Sequence, residues 1–69
     1  MEFRLTTEFV ELDNLLKAID LAGSGGEARQ VILSGAVKVN GEAETRIRRK
    51  LRPGDRVEIG QQKVTIVAQ

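Results

Sequence analysis

From Arg46 to Arg52 the chain reads R-I-R-R-K-L-R, and together with Arg56 this stretch gathers six of the eleven basic side chains. The chemistry open to such a run is electrostatic: docking on phosphates or on another acidic surface. Five of the six are arginine, whose planar guanidinium donates in a fork that matches phosphate, whereas lysine acts as a point charge. On an extended backbone Arg46, Arg48, Lys50 and Arg52 would project to one side at intervals of about 6.6 Å, twice the rise of a strand residue. Ile47, Arg49 and Leu51 would face the other way, with Ile47 and Leu51 anchoring the segment and Arg49 left as a side contact. A second reading of the same residues is a solvated face, or an edge that carries cations to prevent strand pairing.

The net charge of +1 conceals a segregation along the chain. Residues 1–44 carry four basic and eight acidic side chains, residues 45–56 six basic and one acidic, and residues 57–69 one of each. Cysteine and histidine are absent, which removes disulfides, thiol nucleophiles, zinc sites built on those ligands and imidazole base chemistry. Scattered carboxylates, lysines and hydroxyls form no triad and no metal-ligand spacing. The chain is therefore read as non-catalytic, with no cofactor, metal or small-molecule substrate. No apolar run approaches the roughly 20 residues needed to span a bilayer, and the N-terminal sequence has no signal-peptide pattern; a cytoplasmic location away from membranes is expected.

The elements that must hold the basic run in place follow from periodicity. Glu2 to Thr6 alternates, with Phe3 and Leu5 on one side, as in a half-buried strand. Leu12, Leu15, Leu16 and Ile19 fall at i, i+3, i+4 and i+7, one face of a helix, which lacks an evident N-cap side chain and is expected to close at Gly23. Ser24 is the N-cap of a second helix and Glu27 can reach back to it as a capping box; Ala28, Val31 and Ile32 form its stripe, and Gly35 its left-handed stop. Val37-Lys38-Val39 alternates at the strand period, and Asn40-Gly41 is a strong type I′ hairpin signal, returning over about residues 42–45. This turn sets Val39 opposite Glu42 on one sheet face, a poor match that a bulge or an early strand end would resolve. Turns at Pro53-Gly54 and Gly60-Gln61 bound strands at about 56–59 and 62–67. The expected fold is a small α+β domain over residues 1–69: two short helices packed on a small, mostly antiparallel sheet with a β-hairpin.

The order L-D-N-L-L, S-x-x-E-A-R-Q and S-G-x-V-x-V-N-G resembles the S4-type RNA-binding domain, also called the alpha-L motif, over roughly Leu12 to Ile59. The run G-E-x-E-T-R-x-R from Gly41 to Arg48 is similar to small free-standing bacterial members. The resemblance implies RNA binding through the second helix, the hairpin and the loop beyond it, with ribosomal RNA as the family's target, and a monomer is expected. It makes Lys38 and Asn40 candidates, because the family's arrangement sets the hairpin beside the basic run. Arg29 and Gln30, off the apolar stripe near the second helix's N-terminus where free backbone donors favour anions, are secondary candidates. Departures weigh against contacts through the helices. Gly25 and Gly26 stand where many members carry arginine, Leu33 replaces a basic residue, and so does Glu11. With Phe3 and Phe9 the only aromatics, and both suited to core or strand edge, no platform exists for stacking splayed bases. The target implied is structured RNA read through backbone and shape. The alternative from a different class is a protein-interaction module that docks an acidic partner through the same cations.

Overall fold

The computed structural model describes all residues, 1–69. Seven strands and two helices follow in the order β1 (Glu2–Arg4), β2 (Val10–Glu11), α1 (Leu12–Ala18), α2 (Gly25–Leu33), β3 (Val37–Val39), β4 (Glu42–Ala43), β5 (Lys50–Leu51), β6 (Arg56–Ile59) and β7 (Gln62–Val67). Five strands form one sheet in the order β1-β7-β6-β3-β4, while β2 and β5 pair separately. Every pairing is antiparallel except β1 against β7, where Phe3 lies beside Ile66. The expected class, two short helices on a small and mostly antiparallel sheet, is the one observed.

One apolar core joins helices and sheet. Leu12, Leu15 and Leu16 of α1 and Ala28 and Ile32 of α2 bury against Val37, Val39, Val57, Val64 and Ile66, with Leu5 and Leu51 closing the cluster. Alternation explains the strand contribution: odd residues of β3 and β6 and even residues of β7 face inward. Lys38, Glu58 and Lys63 then lie side by side on the outer face, where a cross-strand row of alternating charge suits solvent.

The two helices end by different devices. α2 supplies its own caps: the Glu27 N–H donates to Ser24 Oγ at 3.2 Å, and the chain leaves the helix through Gly35 at φ +84°. The Glu27 carboxylate receives the Gly23 N–H at 2.8 Å, so the capping box closes one residue before Ser24. α1 stops earlier than expected. Asp20, at φ +66°, takes the left-handed position assigned to Gly23, and the Leu21 and Asp20 N–H groups donate to the Leu16 and Lys17 carbonyls. This is a Schellman closure, made with one of the few non-glycine residue types that tolerate that conformation. At the other end of α1 no side chain caps the helix. Backbone does so: the Leu12 and Asp13 N–H groups donate to the carbonyls of Arg49 and Ile47, at 2.9 and 3.1 Å. The basic segment is thereby bonded to the helix, and these two donors of its first turn are satisfied.

Asn40 and Gly41, at φ +54° and +88°, form the hairpin turn, which pairs Val39 with Glu42 as the two-residue loop demands. The mismatch is tolerated because β4 is the sheet edge: Glu42 stays exposed, and Val39 gains Val57 as its neighbour on the other side. A Cβ at Gly41 would meet nothing within 4 Å, so the cost of a substitution is one of backbone conformation alone. Gly41→Val is expected to destabilise the fold by about 1–3 kcal/mol, read as a lower urea midpoint. A midpoint equal to that of the parent would exclude the positive-φ requirement.

Candidate nucleic-acid interface

The chain from Glu44 to Arg52 does not run straight. The Arg49 N–H donates to the Arg46 carbonyl at 3.3 Å, closing a turn over Ile47 and Arg48, and only then does the two-residue β5 begin. The evenly spaced extended row is thus corrected to a turn followed by a short strand, because bonds to α1 and to Glu44 draw the segment inward. The alternation of environment survives: Ile47, Arg49 and Leu51 are partly or fully buried, and Arg46, Arg48, Lys50 and Arg52 are exposed. Leu51 and, more loosely, Ile47 pack on the core.

The result is a shallow concavity of about 460 Å³ whose lining is Arg46, Arg48, Arg49, Lys50 and Arg52 and nothing else. All five candidates from the basic run therefore meet at one place. Phe9 supports two of them, with Lys50 Nζ 4.9 Å and Arg52 Cζ 5.8 Å from its ring centroid, distances at which a cation is attracted by the ring face. The ring is thus engaged by two cations rather than standing clear as a platform. The remaining candidates lie outside this lining. Lys38 borders a separate hollow with Gly35, Ala36, Glu58 and Gly60, and Arg29 and Gln30 are exposed on α2.

Asn40 is occupied structurally. Its Nδ2 donates to Asp55 Oδ1 at 3.0 Å and its Oδ1 accepts the Arg56 N–H at 2.9 Å. Asp55 also accepts the Arg52 N–H, at 2.8 Å, so one carboxylate joins the hairpin tip to the end of the basic segment. Burial pushes Asp55 upward, but the Arg52 amide, Asn40 and the nearby Arg49 and Arg52 charges outweigh it and hold the carboxyl below its ordinary range.

At the start of the segment stands Glu44, the one buried ionisable residue, 8% exposed. Its N–H donates to the Val37 carbonyl at 2.9 Å, which extends the hairpin register by one residue and turns its side chain to the inner face with Val37 and Val39. There Oε2 accepts the backbone N–H and Nε of Arg46, both at 3.0 Å, and Oε1 accepts Arg46 Nη2 at 3.0 Å and Arg49 Nη1 at 2.7 Å. The Arg46 fork, followed by its amide and by Arg49, holds the Glu44 carboxyl at about 2 against the opposing effect of burial. A lowered folded-state value means that this contribution to stability is complete above about pH 4.5 and is lost as the pH falls through about 2. The clamp is intact at any physiological pH.

No group of three or more carboxylates gathers where a metal ion could be held, and no helix is long and apolar enough to cross a membrane. Glu44, Asp55 and Phe9 were not among the candidates read from the sequence. The signal for Glu44 was present, since the parity that places Glu42 opposite Val39 also turns Glu44 inward beside a run of arginines.

The S4 domain family model matches residues 3–67, nearly the whole chain. The chain belongs to the S4 domain family. Among its relatives, the putative RNA-binding protein YbcJ of Escherichia coli is 42% identical over 59 residues, covering 86% of this chain and 84% of YbcJ. The small ribosomal subunit protein uS4m of Schizosaccharomyces pombe is 43% identical over 61 residues; the S4 domain chain described here spans only 19% of that protein's length. The solution structure of E. coli YbcJ, described as revealing an alpha-L motif involved in RNA binding, superposes with a TM-score of 0.73 at 40% identity, covering 97% of this chain and 86% of the other. The S4 fold, with two helices on a mostly antiparallel sheet, is common to both.

Proposed function

We propose that this protein binds structured RNA, with Arg46, Arg48, Arg49, Lys50 and Arg52 meeting backbone phosphates. The observation that carries the reading is the concavity lined by these five cations alone. Neutralising closely spaced phosphates releases their condensed counterions, the main source of affinity in such contacts. Phosphate contacts fix position without reading sequence. The one aromatic ring near the site is engaged by Lys50 and Arg52, which favours recognition of a folded backbone over stacking of splayed bases. Membership of the S4 domain family and the RNA-binding description of YbcJ support the same reading. The ribosomal relative favours ribosomal RNA as the target. Lys38, Asn40, Arg29 and Gln30 carry no part of this proposal.

The test is the salt dependence of binding to a synthetic RNA stem–loop. About four phosphate contacts give a log–log slope near −3 to −4, and Arg48→Gln should flatten it by about 1. Lys17→Gln combined with Lys63→Gln removes two charges elsewhere on the exposed surface and should leave the slope nearly unchanged. Equal weakening by the two variants would reduce the basic run to a contributor of net charge. A native pull-down decides between RNA and an acidic protein partner, since only RNA-dependent capture is abolished by nuclease.

A further inference from the structure

The basic concavity contains an apparent contradiction: a surface suited to a polyanion is built around a carboxylate. Glu44 spends both oxygens on four donors from Arg46 and Arg49, close to the full accepting capacity of the group. Those bonds leave Arg46 Nη1 and Arg49 Nη2 with no acceptor in the protein, on side chains that are 72% and 27% exposed. Both guanidiniums are therefore oriented by one edge and open at the other. The turn closed by the Arg49 N–H and the Arg46 carbonyl lies between the two clamped residues, and Arg48 sits at its exposed tip. Without the carboxylate, five like charges in one hollow would repel each other, and two long side chains would be free to leave it.

We propose that Glu44 is a positioning residue for RNA binding: by clamping Arg46 and Arg49 it fixes the turn that presents Arg48, so its negative charge strengthens the affinity for a polyanion. The inference rests on the RNA-binding reading above. Charge counting alone predicts the opposite sign, since removing a carboxylate from a cationic surface should tighten the attraction for phosphate. A preorganised arginine, however, loses less freedom on binding than a mobile one. The sign of the effect separates the two accounts.

The experiment compares Glu44→Gln with Glu42→Gln for binding to the same RNA stem–loop at fixed salt, below the melting temperature of each protein. The two variants gain the same charge two residues apart, and Glu42 is exposed and belongs to neither ion pair. Glu44→Gln should bind about 3- to 10-fold more weakly than the parent, the cost of re-immobilising two long side chains, while Glu42→Gln should bind equally or slightly more tightly. Affinity of Glu44→Gln equal to or above that of Glu42→Gln would overturn the proposal and leave RNA binding standing. A parent protein that binds no stem–loop overturns both. Should Glu44→Gln fail to fold, Arg46→Lys takes its place: it keeps every charge, loses the fork, and should weaken binding, whereas unchanged affinity would refute the clamp's role. Arginine Nε–H exchange by NMR gives a readout without RNA. Slow exchange at Arg46 relative to Arg48, abolished in Glu44→Gln, is expected, and equal rates in the parent would also overturn the proposal.

Discussion

Replacing Arg48, Lys50 and Arg52 together by glutamine is expected to lower affinity for an RNA stem–loop on the order of 10²–10³-fold near 0.1 M salt and to flatten the salt slope by about 2 to 3 units. These three cations line the concavity without being held by an acidic side chain, since both ion pairs of the protein belong to Arg46 and Arg49. They are thus the side chains freest to exchange solvent for phosphate. Each phosphate neutralised contributes nearly one unit to the slope and roughly a tenfold gain in affinity at that salt concentration, so three removed together dominate the total. Glutamine keeps a polar, unbranched side chain, though a shorter one, and Leu51 between them is untouched. Circular dichroism must show the variant folded, because the charged ends of Lys50 and Arg52 lie over Phe9 and loss of that packing could otherwise imitate a lost contact. A drop below threefold would place the interface elsewhere on the molecule.

The second large effect concerns the support of this surface. Leu16→Ala should destabilise the fold by about 2–5 kcal/mol. Leu16 is completely buried between the helices and the sheet, and a chain of this length has a total stability of only about 3–10 kcal/mol. Truncation leaves a cavity in the core that Leu16 shares with Leu12, Leu15 and Ile32, and surrounding structure relaxes only partly into such a space. The measurement is urea denaturation, with Leu33→Ala as the comparison. Leu33 lies on α2 but is 58% exposed, so its truncation should stay within about 0.5 kcal/mol. Similar losses at the two positions would mean that α1 is not seated as described.

What could be read in the chain before its structure divides by the range of the interactions. Ser24 with Glu27, Gly35, the Asn40-Gly41 turn and the leucine stripe of α1 act within a few residues, so type and spacing announced them. Val37, Val39, Val57, Val64 and Ile66 declared their inward faces by alternation. The basic run was evident as a cluster, and the burial of Ile47 and Leu51 followed from its pattern. Its path was not evident. β2 and β5 have two residues each, too short for any period to show, and the donors of Leu12 and Asp13 are met by main-chain carbonyls, which leave no mark in side-chain type. The end of α1 was misplaced for a related reason: glycine is the usual left-handed stop, but Asp20 fills that position three residues before Gly23. The Glu44 clamp required knowing both the hairpin register and the turn that returns Arg49 to it.

The bonds from Leu12 and Asp13 to the carbonyls of Arg49 and Ile47 also set an order of events as the chain folds. A helix of seven residues is well below the length that persists alone in water, and α1 reaches these partners only after a long loop has closed, at an entropic cost incurred before any contact forms. During synthesis the segment that becomes α1 is therefore made before the residues that cap it and settles only once they have followed. α2, capped from within by Ser24 and Gly35, is the local element able to form early, and the hairpin beside it closes over a two-residue turn. The first helix and the basic segment then arrive together, as one cooperative unit, and hydrogen exchange should find that amides of Leu12, Asp13 and Leu51 open in a single step.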